Sequence, residues 1–134
     1  MAAAKGVVVF STFMLFSILF HCSGVHARRP AIYRVGDGFG WSPTTSMEVW
    51  PQGKKFYAGD ILVFKYDDQL YNVVVDDKEG HDTCTVSEKS VTYDSGNDRI
   101  ELVYGHNYFI CGNPDDCQAG MKMVVYAEAP PPLH

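Results

Sequence analysis

Tyr108-Phe109-Ile110-Cys111-Gly112-Asn113-Pro114-Asp115-Asp116-Cys117-Gln118-Ala119-Gly120-Met121 begins as an apolar strand and turns through a Pro/Gly-rich loop. It then re-enters a strand that runs on as Lys122-Met123-Val124-Val125-Tyr126. The same style of segment recurs on the N-terminal side. Ile32-Tyr33-Arg34-Val35 stops at Gly36-Asp37-Gly38, and Ile61-Leu62-Val63-Phe64-Lys65-Tyr66 is ended by Asp67-Asp68. Leu70-Tyr71-Asn72-Val73-Val74-Val75 follows, with Asp76-Asp77-Lys78-Glu79-Gly80 read as a turn, and Arg99-Ile100-Glu101-Leu102-Val103 alternates charged and apolar. β-branched and aromatic residues dominate these runs, as a pleated, half-buried surface favours. No segment sustains an apolar repeat of 3.6, although Thr45 to Trp50 could hold a helical turn. Short strands at this spacing specify an all-β sandwich or barrel.

The loop also brings a thiol, Cys111, towards a thioether, Met121. A loop between two strands can fold that pair onto one soft metal ion. Blue-copper centres use a thiolate and a weak axial methionine, completed by two imidazoles. Such a site therefore needs two neutral nitrogen ligands besides the sulfurs.

The chain's start reads as a leader. Lys5 precedes an uncharged, mostly apolar run from Gly6 to Phe20, followed by a short polar stretch ending Val25-His26-Ala27. A basic start, an apolar centre and small residues at the end describe a secretory signal peptide. The run of about 15 residues falls short of the roughly 20 needed to span a bilayer. Residues 1–27 are expected to be removed, residues 28–129 to form one domain, and residues 130–134 to be a short proline-rich tail. The C-terminus has no apolar stretch of the kind a lipid-anchor signal requires, so a freely soluble extracellular protein is expected.

Without Lys5 the mature part carries ten Lys+Arg against sixteen Asp+Glu, a net charge of −6 with histidines neutral. That argues against nucleic acid or an anionic membrane as partner, since both reward basic patches. The acidic pairs Asp67-Asp68, Asp76-Asp77 and Asp115-Asp116 read as solvated turns. No loop offers the alternating oxygen ligands of a calcium site. No Ser-His-Asp or Cys-His arrangement is visible either. Cys111, at the end of an apolar strand, is expected to be a neutral thiol rather than a nucleophile, so an enzyme is not expected.

Of four cysteines, Cys22 leaves with the leader, and Cys84, Cys111 and Cys117 remain. In an oxidising compartment three cysteines permit one bridge and one free thiol, in three possible pairings. The odd cysteine can be buried as a small apolar residue, pair between chains, or hold a metal.

At this point the chain resembles a known family. Tyr33-Arg34-Val35-Gly36 leading to Gly40-Trp41, then Phe56-Tyr57-Ala58-Gly59-Asp60-Ile61-Leu62-Val63-Phe64, Asn72-Val73-Val74-Val75, Tyr108-Phe109-Ile110-Cys111 and Gly120-Met121-Lys122 stand in the order found in phytocyanins. These are the plant branch of the blue-copper cupredoxins, and the likeness is greatest to plantacyanins, or basic blue proteins. The resemblance implies a Greek-key β-sandwich of cupredoxin type with a disulfide near the ligand loop. It places that disulfide on Cys84 and Cys117, leaving Cys111 free. It places the four copper-ligand positions on Tyr71, Cys111, Asp116 and Met121, so that both imidazole positions hold other residues.

The remaining histidines do not fill those places. His106 precedes Cys111 by five residues in an expected strand, roughly 16 Å away at about 3.3 Å per residue. His81, three residues from Cys84, is expected to be an exposed turn residue, and His134 belongs to the tail. Tyrosine titrates near 10 and aspartate is a hard oxygen donor, so neither is a good substitute for imidazole. Asp116 also puts negative charge where the family presents a ligand histidine to partner proteins.

The expectation is a secreted, copper-free, non-enzymatic phytocyanin-like module in the apoplast or cell wall, monomeric, meeting an unknown extracellular protein or wall component. Histidine-lacking relatives occur among the early nodulin-like proteins, which usually carry a lipid anchor and a long proline-rich tail. The competing expectation is an extracellular blue-copper electron carrier with an altered site, copper held by Cys111, Met121 and a ligand foreign to the family.

Overall fold

A computed structural model describes residues 29–132. The expected leader, its cleavage point after Ala27, and His134 lie outside the described residues.

The strands are β1 (Ile32–Arg34), β2 (Phe56–Tyr57), β3 (Ile61–Lys65), β4 (Val73–Asp76), β5 (Val91–Tyr93), β6 (Asn97–Glu101), β7 (Gly105–Ile110) and β8 (Lys122–Glu128). Among the described residues two short α-helices, α1 (Lys78–Thr83) and α2 (Pro114–Gln118), and one 3-10 helix (Asp37–Phe39) interrupt them. One sheet has the order β1-β3-β6 and the other β2-β8-β7-β4-β5. β1 lies parallel to β3 and β2 parallel to β8, while the other neighbours are antiparallel. The all-β class is as expected.

Alternation positions the core. In β8, Met123, Val125 and Ala127 are buried while Val124 and Tyr126 face solvent, the period of two that a half-covered sheet demands. Leu62, Phe64 and Ile100 from the three-stranded sheet meet Val73, Phe109, Met123 and Val125 from the other in one cluster. Trp41 and Phe109 contact Phe64 at centroid separations of 5.2 and 5.1 Å. Burying each such side chain contributes about 1.5–3 kcal/mol. The carboxylate of Asp60 lies in the interior, where it accepts from the Ala31 and Tyr57 backbone N–H groups at 2.9 Å each. It thereby joins the starts of β1 and β3 to the turn after β2.

A second, smaller cluster lies on the outer face of the five-stranded sheet: Val74, Ile110, Cys84 and Cys117. The two cysteines form the disulfide, with Cα atoms 5.8 Å apart, and Cys111 is the free, buried thiol. The bridge joins the C-terminal end of α1 to α2 across β4 and β7.

Four local expectations change. Asp76–Gly80 is not a plain turn, because the Asp77 side chain accepts from Gly80 N at 2.8 Å and caps α1. The strand expected from Leu70 begins only at Val73, since the N–H groups of Leu70 and Tyr71 close a turn onto the Asp67 carbonyl. The strand expected at Arg99–Val103 is shifted to Asn97–Glu101, and Val103 instead exchanges hydrogen bonds with the Asn107 side chain. The Pro/Gly-rich loop contains α2, started by Asn113 as cap and Pro114 as first helical residue. Thr45 to Trp50 does hold successive tight turns, closed by Val49 N to Ser46 O and Trp50 N to Met47 O.

Candidate functional site

β7 delivers Cys111 just past its last paired residue, and β8 begins just after Met121. The Cys111 N–H donates to the Met121 carbonyl at 2.9 Å, so the ladder between the two strands extends one step beyond their ends. Both side chains point into the main cluster, with 1% and 0% exposure. Between them α2 carries the chain outward and back. Met121 N–H donates to Asp116 O at 3.0 Å, and Gly120 O accepts from Met47 N at 3.0 Å. Gly120 has φ +122°, and a Cβ there would lie 3.3 Å from the Ser46 backbone, so only glycine seats the loop against the 45–50 turns without strain.

Asn72 organises the inner side of the site. Its Oδ1 accepts from Gly112 N at 2.6 Å and lies 3.7 Å from Cys111 Sγ. Its own carbonyl accepts from the Trp41 indole at 2.9 Å. A Cβ on Gly112 would come within 3.0 Å of the Asn72 amide, which accounts for a glycine directly after the thiol. Asn72 was legible only as the start of an Asn-Val-Val run. Its role depends on a partner forty residues away.

The four positions that the resemblance pairs are not gathered equally. Cys111 and Met121 are brought together in the core. Tyr71 is half-buried and packs on the edge of the main cluster, while Asp116 is half-buried on α2. Tyr71, Asn72 and Cys111 line a shallow cleft of about 240 Å³ with Asp68, Leu70 and Asn113. Asp116 is not among its lining residues.

The histidines divide differently from expectation. His106 lies in β7 as expected, exposed, with its ring 4.9 Å from Tyr126. His81, expected in an exposed turn, is buried at 7% exposure because α1 folds it against Tyr108, 5.6 Å away. Its Nδ1 lies 2.9 Å from Asp82 Oδ1, and its Nε2 lies 3.2 Å from Glu48 Oε1, off the line of a good hydrogen bond. The Lys78 ammonium, together with His81, holds the Asp82 carboxyl down at about 2. Both nitrogens of His81 thus face carboxylates on the far side of the disulfide.

These residues do not fit a blue-type copper ion. The sulfur pair is present, but at the two positions that the resemblance gives to imidazoles the chain has a phenol and a hard carboxylate. Among the described residues, no group of three or more His, Cys, Asp or Glu side chains is placed to hold a metal ion.

Comparison with known proteins gives a consistent picture. The family model of a plastocyanin-like domain matches residues 41–121. Early nodulin-like protein 22 of Arabidopsis thaliana is 49% identical over 106 residues, covering 78% of this chain and 76% of that protein. The basic blue protein of Cucumis sativus is 47% identical over 97 residues, covering 72% of this chain and 99% of its own. The solved structure of cucumber basic protein, a blue copper protein, superposes with a TM-score of 0.69 at 46% identity, over 72% of this chain and 99% of that one.

Proposed function

The chain belongs to the plastocyanin-like phytocyanins, and from its donor set we propose that it is a secreted, copper-free member acting as a binding or signalling module rather than as an electron carrier or enzyme. The observation that carries this reading is the pairing of Tyr71 and Asp116 with an otherwise intact Cys111 and Met121. A protein that retained copper would need imidazole at the rim, where the metal meets both solvent and redox partner. Here the rim offers a phenol, and on α2 the negative charge of Asp115 and Asp116. The polar cleft beside Tyr71, with Asp68, Asn72 and Asn113 on its walls, is where a ligand would be met in place of a metal. The leader-like start and the disulfide support an oxidising, extracellular setting. Among the described residues no helix is long and apolar enough to cross a membrane.

The test is metal analysis and visible absorption of the mature protein expressed and dialysed with copper. The expected result is a colourless protein with no stoichiometric copper. An intense thiolate-to-copper band with one copper per chain would overturn the reading in favour of an altered electron-transfer site. The double variant Tyr71→His/Asp116→His is expected to gain that band, because the two sulfurs already stand in place. A folded double variant that stays colourless in copper would remove the assignment of Tyr71 and Asp116 to the ligand positions.

A further inference from the structure

Of the eight tyrosines, only Tyr104 and Tyr126 are exposed, at 66% and 46%, and these two touch each other. Tyr104 stands in the turn between β6 and β7, and Tyr126 on the outer face of β8. Their ring centroids are 6.4 Å apart at an interplanar angle of 62°. At that separation the two rings are edge-to-face neighbours. Tyr104 is the first of several influences that raise the pKa of Tyr126. On its other side Tyr126 is flanked by the His106 ring at 4.9 Å, so its ring is held between two neighbours.

Ordinary packing does not account for this pair. A half-buried tyrosine contributes by burying its ring and finding a partner for its hydroxyl, as Tyr66 does with Asp98 and the Tyr93 carbonyl. Tyr104 leaves about two thirds of its surface and Tyr126 nearly half in water, where stacking contributes little to stability. What the arrangement does provide is two oxidisable phenols, accessible to a bulky reagent and already in register with each other.

We propose that Tyr104 and Tyr126 form a phenol-coupling site, at which a peroxidase-type oxidant using hydrogen peroxide joins the two rings carbon to carbon. Each phenol gives up one electron and one proton. The two phenoxyl radicals form a bond between their ortho carbons, and the hydrogens on those carbons move to the oxygens, restoring both hydroxyls. The protein loses two hydrogen atoms in all, and the peroxide takes up two electrons and two protons to become two waters. The product ties the β6–β7 turn to the last strand. It closes a span of 22 residues on the outer face of the five-stranded sheet, at the end of β7 and β8 away from the disulfide.

The experiment treats dilute, folded mature protein with a plant peroxidase and limiting hydrogen peroxide. Intact mass, the fluorescence of coupled tyrosine and peptide mapping are then followed. The expected product is a monomer lighter by two hydrogens, with one cross-linked peptide pair containing Tyr104 and Tyr126 and a raised melting temperature. Tyr104→Phe and Tyr126→Phe each keep the ring and are expected to fold as the parent does, as checked by circular dichroism. Each is expected to abolish the intramolecular product, whereas Tyr108→Phe leaves it unchanged. Coupling that appears only between chains, that maps to other tyrosines, or that survives in either single variant would overturn the proposal, as would a parent protein left unmodified while a free tyrosine peptide in the same tube is coupled.

Discussion

Cys111 and Met121 lie inside the core at 1% and 0% exposure, whereas Tyr71 and Asp116, the positions that the resemblance pairs with them, are half-buried at the rim. The inner residues have an occupation that needs no metal. Met121 fills space against the main cluster, and Cys111 behaves as a small apolar residue beside Asn72. Losing copper would therefore leave the selection on their packing untouched. Tyr71 packs only on the edge of the main cluster and Asp116 is half-buried on α2, so a change there is expected to cost the fold less. On the proposed reading, persistence of the sulfur pair reflects packing, and the rim is where the site has changed.

The largest expected effect separates the halves directly. Met121→Ala removes a fully buried side chain and is expected to cost about 2–5 kcal/mol, read by chemical denaturation. An equal loss in Asp116→Ala would break the contrast. Next is the disulfide, which supports the inner half from outside. Cys84→Ala opens a bridge of sequence separation 33 and is expected to cost about 2–4 kcal/mol. A variant that melts like the parent would show the outer cluster holding without its covalent link.

Asn72→Ala leaves the Gly112 N–H without its acceptor, for which about 1–3 kcal/mol is expected. If the loss came instead from a disturbed Trp41, whose indole bonds the Asn72 backbone, near-ultraviolet dichroism would change as well. At the rim, Asp116→Ala is expected to stay within about 0.5 kcal/mol of the parent. The smallest effect lies on α1. Asp82 has a folded-state value of about 2, below the ordinary 3.8, held there first by Lys78 and then by His81. Its contribution is complete above the unfolded value and is lost as pH falls through the folded one. A slight fall in stability between those two values, absent in Lys78→Ala, is what an acid titration of the melting temperature should record.

The strands flanking the Cys111 loop were legible because their alternation is strong and their residues are β-branched or aromatic. The disulfide pairing was open in the sequence itself and came only with the resemblance. The helices were missed for different reasons. α2 carried a readable start in Asn113-Pro114 followed by two acidic residues, but at five residues it is too short to show a period. α1 has Gly80 in its middle and only six residues, so nothing but the Asp77 cap announced it. The environment of His81 could not have been read, because Glu48 lies 33 positions away and reaches it only through the 45–50 turns.

One strand carries a further consequence. Val73 faces the main cluster and Val74 the outer one, so β4 is apolar on both sides. A strand that is buried on both faces has no inside and outside by which to choose its alignment, and a slip of one position would still bury valines. Asn72 removes that freedom. Its side chain can satisfy Gly112 and its carbonyl can meet Trp41 in only one alignment of β4 against β7. Asn72 thus serves as a folding pin that rejects misaligned sheets, a duty that holds whether or not the chain meets a metal.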